Sequence, residues 1–513
     1  MRSVFYTIML ICSSAWWPLR VQAQDTAVDV HSQQFQQRYH FFSQDVISQP
    51  LRPFSQYAIV EAGYRVKDGG YALAQDAAKQ RELFFNTAGT RQLKKWLVSG
   101  AFTYLSTTKD SVGYTLRDDL NNPAPYYFYA GKKGNWQVIS YQLQGTVSRS
   151  FLKDKFTAAA GISYSSNDGW RGNDPRSEYF TYHLATDASL IYHLLPKHKI
   201  GVAGGIIRKS TDTNLEYRNK DYQYSLTQPE YINYLQDGYG YVELKTGNTN
   251  IASNTKGWKL HGLYDGQLPI GSLTLKGGYT HANSSFFQKG FDVGENVLTY
   301  GYFYENEWSA DAYWQYKRGK QRWSALVNYI HQQDKDYNTL LAGNNYVYAF
   351  EQLKVQPMFA HYKAQRLQYE VGLEGSVSDQ FRADGSAGQT AEYQYATVGA
   401  LVAWYVPMPP RSSLLKLLLK GSLQQPISAD ITQPAQQPAF TKAVIFRDYY
   451  YYNATVTTIQ AEALYQFPIR QLNTFVKADY WYQNASIATG NVPATSLPGT
   501  NRWQWQLSLG FNL

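Results

Sequence analysis

The sequence predicts an all-β protein, a transmembrane antiparallel up-and-down β-barrel of about 18 strands with short turns at one end and long loops at the other. Three observations carry this. The last residues alternate apolar and polar side chains to the final position, with Trp503, Trp505, Leu507, Leu509, Phe511 and Leu513 set against Gln504, Gln506, Ser508, Gly510 and Asn512. Two-faced runs of the same kind recur along the chain, several with charges on the polar face. Aromatic residues reach 16%, with 45 Tyr and 13 Trp in 513 residues, which suits the two aromatic girdles of such a barrel. Successive strand side chains point to opposite faces, so the pattern presents oil outward and water inward. A Tyr-rich sandwich or a carbohydrate-binding module would share the aromatic excess, but charged inner strand faces would leave unpaired charge in a sandwich core.

Length and charge set further bounds. At roughly 100 to 200 residues per domain a soluble chain of this size would hold about three domains, yet no Pro/Gly/Ser linker or composition shift divides it. The mean hydropathy of −0.46 excludes a bundle of apolar helices, and no run of about 18 apolar residues follows the N-terminus. At the start, Met1 and Arg2 precede an apolar run from Val4 to Cys12, and Val21-Gln22-Ala23 has the small-residue pattern of a cleavage site. Residues 1–23 therefore read as a secretory signal peptide, and the expected location is the outer membrane of a Gram-negative cell after cleavage. Cys12 is the single cysteine, so the mature chain is expected to lack disulfides, Cys-ligated metal and a Cys nucleophile. Without Arg2 and Arg20, 46 basic residues face 39 acidic ones, a net +7 that is spread rather than clustered and gives no reason to expect nucleic-acid binding.

Residues 24–55 are Gln-rich, with Phe35, Tyr39, Phe42 and Val46 at helical spacing, which predicts a short amphipathic helix in a periplasmic tail or against the barrel mouth. The segment is too short for the folded plug domain of a TonB-dependent transporter, and no peptidoglycan-binding domain is expected after the barrel. Residues 56–513 form the barrel itself. Eight short connections occur, at 93–95, 153–155, 196–199, 269–271, 317–321, 363–366, 407–412 and 468–471. They alternate with longer Gly-, Asn-, Asp- and Ser-rich stretches, notably 108–135, 210–255 and 425–448, and eight paired hairpins plus two end strands give about 18 strands. A hairpin within 238–247 is expected to sit above the membrane.

Face assignments follow from the alternation. In 367–377, Leu367, Tyr369, Val371, Leu373, Gly375 and Val377 are expected outside, opposite Gln368, Glu370, Gly372, Glu374 and Ser376. Tyr141, Leu143 and Val147, then Leu415, Leu417 and Leu419, then Val476, Ala478 and Tyr480 read outward in the same way. In 390–405 both faces are apolar and the register stays open. The charged lumen-lining candidates are Glu61, Arg65, Lys67, Lys276, Glu307, Asp311, Glu370, Glu374, Lys416, Lys420, Lys477 and Asp479. Both signs occur, as suits a constriction with a transverse field or internal salt bridges that stiffen the wall.

Catalytic and metal readings are weaker. His261 and Asp265 share an inner face, but four residues of strand separate them by roughly 13 Å. No serine is placed beside His281, which reads as a girdle histidine. His331, Asp334 and Asp336 are a weak set for a hard cation without a closing carboxylate and a tight Gly turn. Asp168, Asp174, Asp212 and Asp221 read as solvated loop charges. No catalytic residue, metal or cofactor is therefore expected, and the chain reads as a non-enzyme. Tyr217, Tyr222, Tyr224, Tyr231, Tyr234, Tyr239 and Tyr241, with Tyr449 to Tyr452, suit the headgroup belt, loop packing, or stacking on an extracellular protein or glycan ligand.

The signal peptide, the opening Tyr57-Ala58-Ile59-Val60-Glu61-Ala62-Gly63-Tyr64, the segment from Leu93 to Tyr104 and the Phe511-Asn512-Leu513 ending resemble an uncharacterised porin-like outer-membrane β-barrel family of Bacteroidota. The resemblance spans the mature chain and implies the fold without a substrate or catalytic residues. The terminal strand is also similar to the signal read by the barrel-assembly machinery, an expected partner during biogenesis, beside outer-membrane lipid and lipopolysaccharide. The function expected is passive or facilitated passage of small polar solutes, with a non-conducting receptor or assembly partner as the alternative.

Overall fold

The computed structural model describes residues 30–52, 56–117, 119–245, 248–290, 296–364, 366–409, 413–433, 438–470, 472–488, 490 and 492–512. The signal segment with Cys12, and Leu513, lie outside them. Helix α1 (Gln33–Ser43) comes first, then strands β1 (Gln56–Asp68), β2 (Lys79–Leu93), β3 (Trp96–Val112), β4 (Tyr126–Ala130), β5 (Gly134–Phe151), β6 (Phe156–Arg171) and β7 (Arg176–Leu195). There follow β8 (His198–Glu216), β9 (Asn233–Asp237), β10 (Val242–Lys245), β11 (Thr249–Leu268), β12 (Gly271–Lys289), β13 (Asn296–Arg318) and β14 (Gln321–Asn338). The chain ends with β15 (Tyr346–Lys363), β16 (Arg366–Asp384), β17 (Gln389–Met408), β18 (Ser413–Thr432), helix α2 (Phe446–Tyr452), β19 (Ala454–Ile469), β20 (Leu472–Ile487) and β21 (Asn501–Asn512).

Eighteen of these strands form one antiparallel sheet, and β4, β9 and β10 form a separate three-stranded one. The large sheet closes on itself because β21 pairs with both β20 and β1, from Ile59 opposite Asn512 to Asp68 opposite Trp503. Closure leaves no unpaired edge, which is what a bilayer demands of a spanning sheet. Leu507 and Leu509 on this strand are more than half exposed, as are Leu373, Val377 and Val398 on β16 and β17. On a water-soluble protein such a surface would be a liability; around a barrel it is the lipid-facing belt.

Two expectations about the wall are corrected. Leu367 faces inward: the pairing of β15 with β16 shifts between His361 and Tyr362, and the bulge turns Leu367 into a buried cluster with Ala360, Ala403, Tyr405 and Leu418. The long loops are also shorter than expected, since β3 runs to Val112, β8 to Glu216 and β18 to Thr432. On these extensions the oil-outward alternation is lost, with Val112, Leu215 and Ile431 turned inward against the loops, while the hydrogen-bond ladder continues. For 390–405 the structure sets the register, with Val398, Trp404 and Val406 outward and Ala403 and Tyr405 buried inward.

Candidate functional site

The lumen carries the chemistry of this fold, and its short-turn end is occupied by residues 30–52. Helix α1 forms because Ser32 caps it, its Oγ accepting from the Phe35 N–H at 3.1 Å, and no Gly or Pro interrupts it before Ser43. The remaining free N–H groups of the first turn point at the wall: Gln33 and Gln34 donate to the two carboxylate oxygens of Glu370 at 2.7 and 2.9 Å. A carboxylate at a helix N-terminus is favoured by the dipole as well as by the hydrogen bonds. Tyr405 Oη donates to the same group at 2.5 Å.

The rest of the segment is fixed all round. Ser324 Oγ donates to Gln37 Oε1 at 2.8 Å, Lys276 Nζ donates to the Phe41 carbonyl at 3.0 Å and pairs with Asp45 at 2.7 Å, and Arg52 donates to Thr90 and Ser99. Apolar side chains fill the gaps, with Phe41 and Phe42 on Tyr313 and Leu326, Phe35 on Tyr57, and Val46 and Ile47 on Ala159, Ile191, Ala203 and Leu263. Every wall residue named here lies within the part of its strand nearest the short turns.

The twelve predicted lumen charges all lie on strands of the wall, and most are brought into pairs. Glu61 accepts from Lys477 and Ser508, each at 2.6 Å. Arg65 pairs with Glu82 at 3.0 Å, Lys416 with Glu462 at 2.7 Å, and Lys420 with Glu374 at 2.9 Å. Asp311 accepts from Asn328 and pairs with Lys276, and Asp479 accepts from Gln460. Lys67 and Glu307 are half-buried. The residues that sequence reasoning missed are the segment's anchors, Asp45, Arg52 and Ser324. Their partners are far away in sequence, so no local pattern could have revealed them.

At the opposite end the loops fold into a cap. Tyr126 Oη donates to Asp336, the Tyr239 and Tyr241 N–H groups donate to Asp384, and Asn338 donates to Asp237 at 2.8 Å. A Cβ at Gly238 would collide with the Asp384 carboxylate, so glycine is required for the hairpin tip to seat there. Tyr217, Tyr239 and Tyr450 are buried in this cap, whereas Tyr224 stands out in solvent. Asp237 is fully buried, and its Oδ2 has no hydrogen-bond partner. Burial first, opposed by the Asn338 bond, then the nearby Glu243, Asp336 and Asp384 carboxylates, push its carboxyl up to about 7. A folded value above the unfolded one means that the docked hairpin is most stable in acid and loses that stability as pH rises from about 4 to about 7. Cleavage within residues 217–245 by an added protease is therefore expected to accelerate across this window, and Asp237→Asn is expected to weaken the pH dependence.

The weaker catalytic and metal readings gain no support from the geometry. Asp265 accepts from Thr274 and pairs with Lys199, away from His261. His281 lies beside Asn306 and the Trp258 ring. His331 Nδ1 lies 3.7 Å from a Glu351 carboxylate oxygen, while Asp334 and Asp336 are buried on the opposite strand face. Among the described residues no group of three or more His, Cys, Asp or Glu side chains is placed to hold a metal ion. Three loop expectations are corrected: Asp168 and Asp212 lie on strands β6 and β8, Asp212 pairing with Lys289, and Asp174 is buried and accepts from the Arg218 and Asn219 N–H groups as well as Arg176.

The family model described as "Family of unknown function (DUF6850)" matches residues 47–513. The chain belongs to this family. A comparison with curated proteins finds no match. Among solved structures, this DUF6850 barrel is similar to BauA, the ferric preacinetobactin receptor from Acinetobacter baumannii, at 9% identity and a TM-score of 0.38 over 89% of this chain and 80% of that one. It is also similar to the FrpB iron transporter from Neisseria meningitidis, at 9% identity and 0.41 over 91% and 83%. A FadL homologue from Pseudomonas aeruginosa matches at 11% identity and 0.32 over 91% and 92%.

Proposed function

We propose that the protein is a gated, porin-like conduit of the Gram-negative outer membrane, reached after loss of residues 1–23, that passes small polar solutes when residues 30–52 leave the lumen. The observation that carries this reading is the chemistry of the surface beneath the segment. Glu370, Lys276, Ser324, Thr90 and Ser99 meet it from the wall, and once vacated these groups would hydrate rather than collapse. An 18-strand wall is wide enough to hold an aqueous channel. Solute transfer needs no chemistry from the chain, and no residue is assigned a catalytic role.

The second reading, a non-conducting receptor or assembly partner for an extracellular protein or glycan, is favoured by the presence of both the segment and the cap. The test is bilayer conductance and liposome uptake of sugars and amino acids, with and without residues 30–52. Uptake that appears on removal supports the conduit. A barrel that stays silent without the segment supports the receptor.

A further inference from the structure

On the outer face of the barrel Arg208 of β8 and Lys256 of β11 are direct cross-strand partners. Both are exposed. Side chains opposed in this way have Cβ atoms about 5 Å apart, and like charges there destabilise the pair. Among the described residues neither side chain has an ion pair or a hydrogen bond. Three other cations toward the same rim are matched: Arg81 with Asp110 at 2.8 Å, Arg176 with Asp174 at 3.2 Å, and Lys289 with Asp212.

The height of the pair says what neutralises it. Two residues nearer the short turns, Trp258 meets Tyr279 at 5.4 Å, and Tyr279 meets Trp308 at 4.5 Å. This aromatic row on three neighbouring strands has the character of the girdle at the lipid–water boundary. Lys256 therefore stands about 7 Å along the strand beyond that boundary, on the long-loop side. Beneath the pair the wall is apolar, with Ile206 and Leu260 both more than half exposed. Asn283, the other cross-strand neighbour of Lys256, adds an amide beside the cations.

We infer that Arg208 and Lys256 clamp the phosphate of an outer-leaflet lipid whose acyl chains run down over Ile206 and Leu260. A guanidinium and an ammonium at headgroup height share one anion, and their mutual repulsion becomes a joint attraction. The inference rests on the outer-membrane placement and is independent of solute passage.

The test compares the wild-type protein with Arg208→Gln and Lys256→Gln in nanodiscs of phosphatidylcholine alone and with added diphosphorylated lipid A. Retention of lipid A through detergent exchange is expected to fall roughly fivefold for each charge removed. In phosphatidylcholine alone the variants are expected to melt higher than wild type, because the repulsion is gone; with lipid A they are expected to melt lower. Loss of the heat-modifiable barrel in any variant would contradict the expected relief of repulsion and so count against the clamp. Variants that shift the transition in the same direction in both discs would overturn the clamp. So would inorganic phosphate alone protecting the wild type as well as lipid A does, since the site would then serve a free anion.

Discussion

A chain lacking residues 30–52 is expected to conduct in planar bilayers in discrete steps that the chain retaining them does not show. The closed state would lose the hydrogen bonds and ion pair at Glu370, Lys276, Ser324 and Arg52. At about 1 kcal/mol net for each of these four anchors, the balance between occupied and vacated lumen shifts by roughly a thousandfold. The wall itself should survive, because its strand ladders run between neighbouring strands and do not involve the segment. The steps are expected to be brief, since the cap still covers the other end, and more frequent at pH 8 than at pH 5, where the Asp237 carboxyl holds its proton. Adding Asp237→Asn should reduce that difference, the part that stays belonging to the buried Asp336 and Asp448 carboxyls, which burial also pushes up. A silent deletion variant that remains a folded barrel would refute the gate.

The second large effect concerns the wall. Leu373 is 58% exposed on the outer face of β16, and Leu373→Arg near mid-bilayer is expected to destabilise the barrel by about 2–4 kcal/mol. Thr397, on the adjacent β17, precedes the outward Val398 and so faces the lumen. Thr397→Arg is expected to cost less than about 1 kcal/mol, because its charge reaches water or the polar interior. Denaturant unfolding from lipid vesicles measures both. Equal costs at the two sites would contradict the assignment of faces.

Much of this architecture was legible in the sequence because lipid imposes a rule that each strand must obey. Leu507 and Leu509 against Gln506 and Ser508 could be read without any partner, and the eight short connections gave the strand number. Leu367 escaped because a bulge is a property of two strands, and its own neighbours still alternate. The helix was visible in the spacing of Phe35, Tyr39 and Phe42, but its position was not: the groups that hold it, Glu370 and Ser324, lie 336 and 287 residues from their partners. Glu370 reads as a lumen-lining candidate, and its role as a helix cap depends on the closed ring bringing its strand to the N-terminus of α1. The cap tyrosines were legible as loop residues, while burial of Tyr239 and exposure of Tyr224 depend on which strand tops the loops meet.

The most direct test of the account is a disulfide between the segment and the wall. A Cβ at Gly161 would lie 3.5 Å from Val46 Cβ, within the range that a disulfide spans, and Cys12 is the chain's single native cysteine. In Val46→Cys/Gly161→Cys protein purified under oxidising conditions, peptide mass spectrometry is expected to find the two cysteines joined in most molecules. Free thiols at both positions in a folded barrel would contradict the placement of residues 30–52 in the lumen.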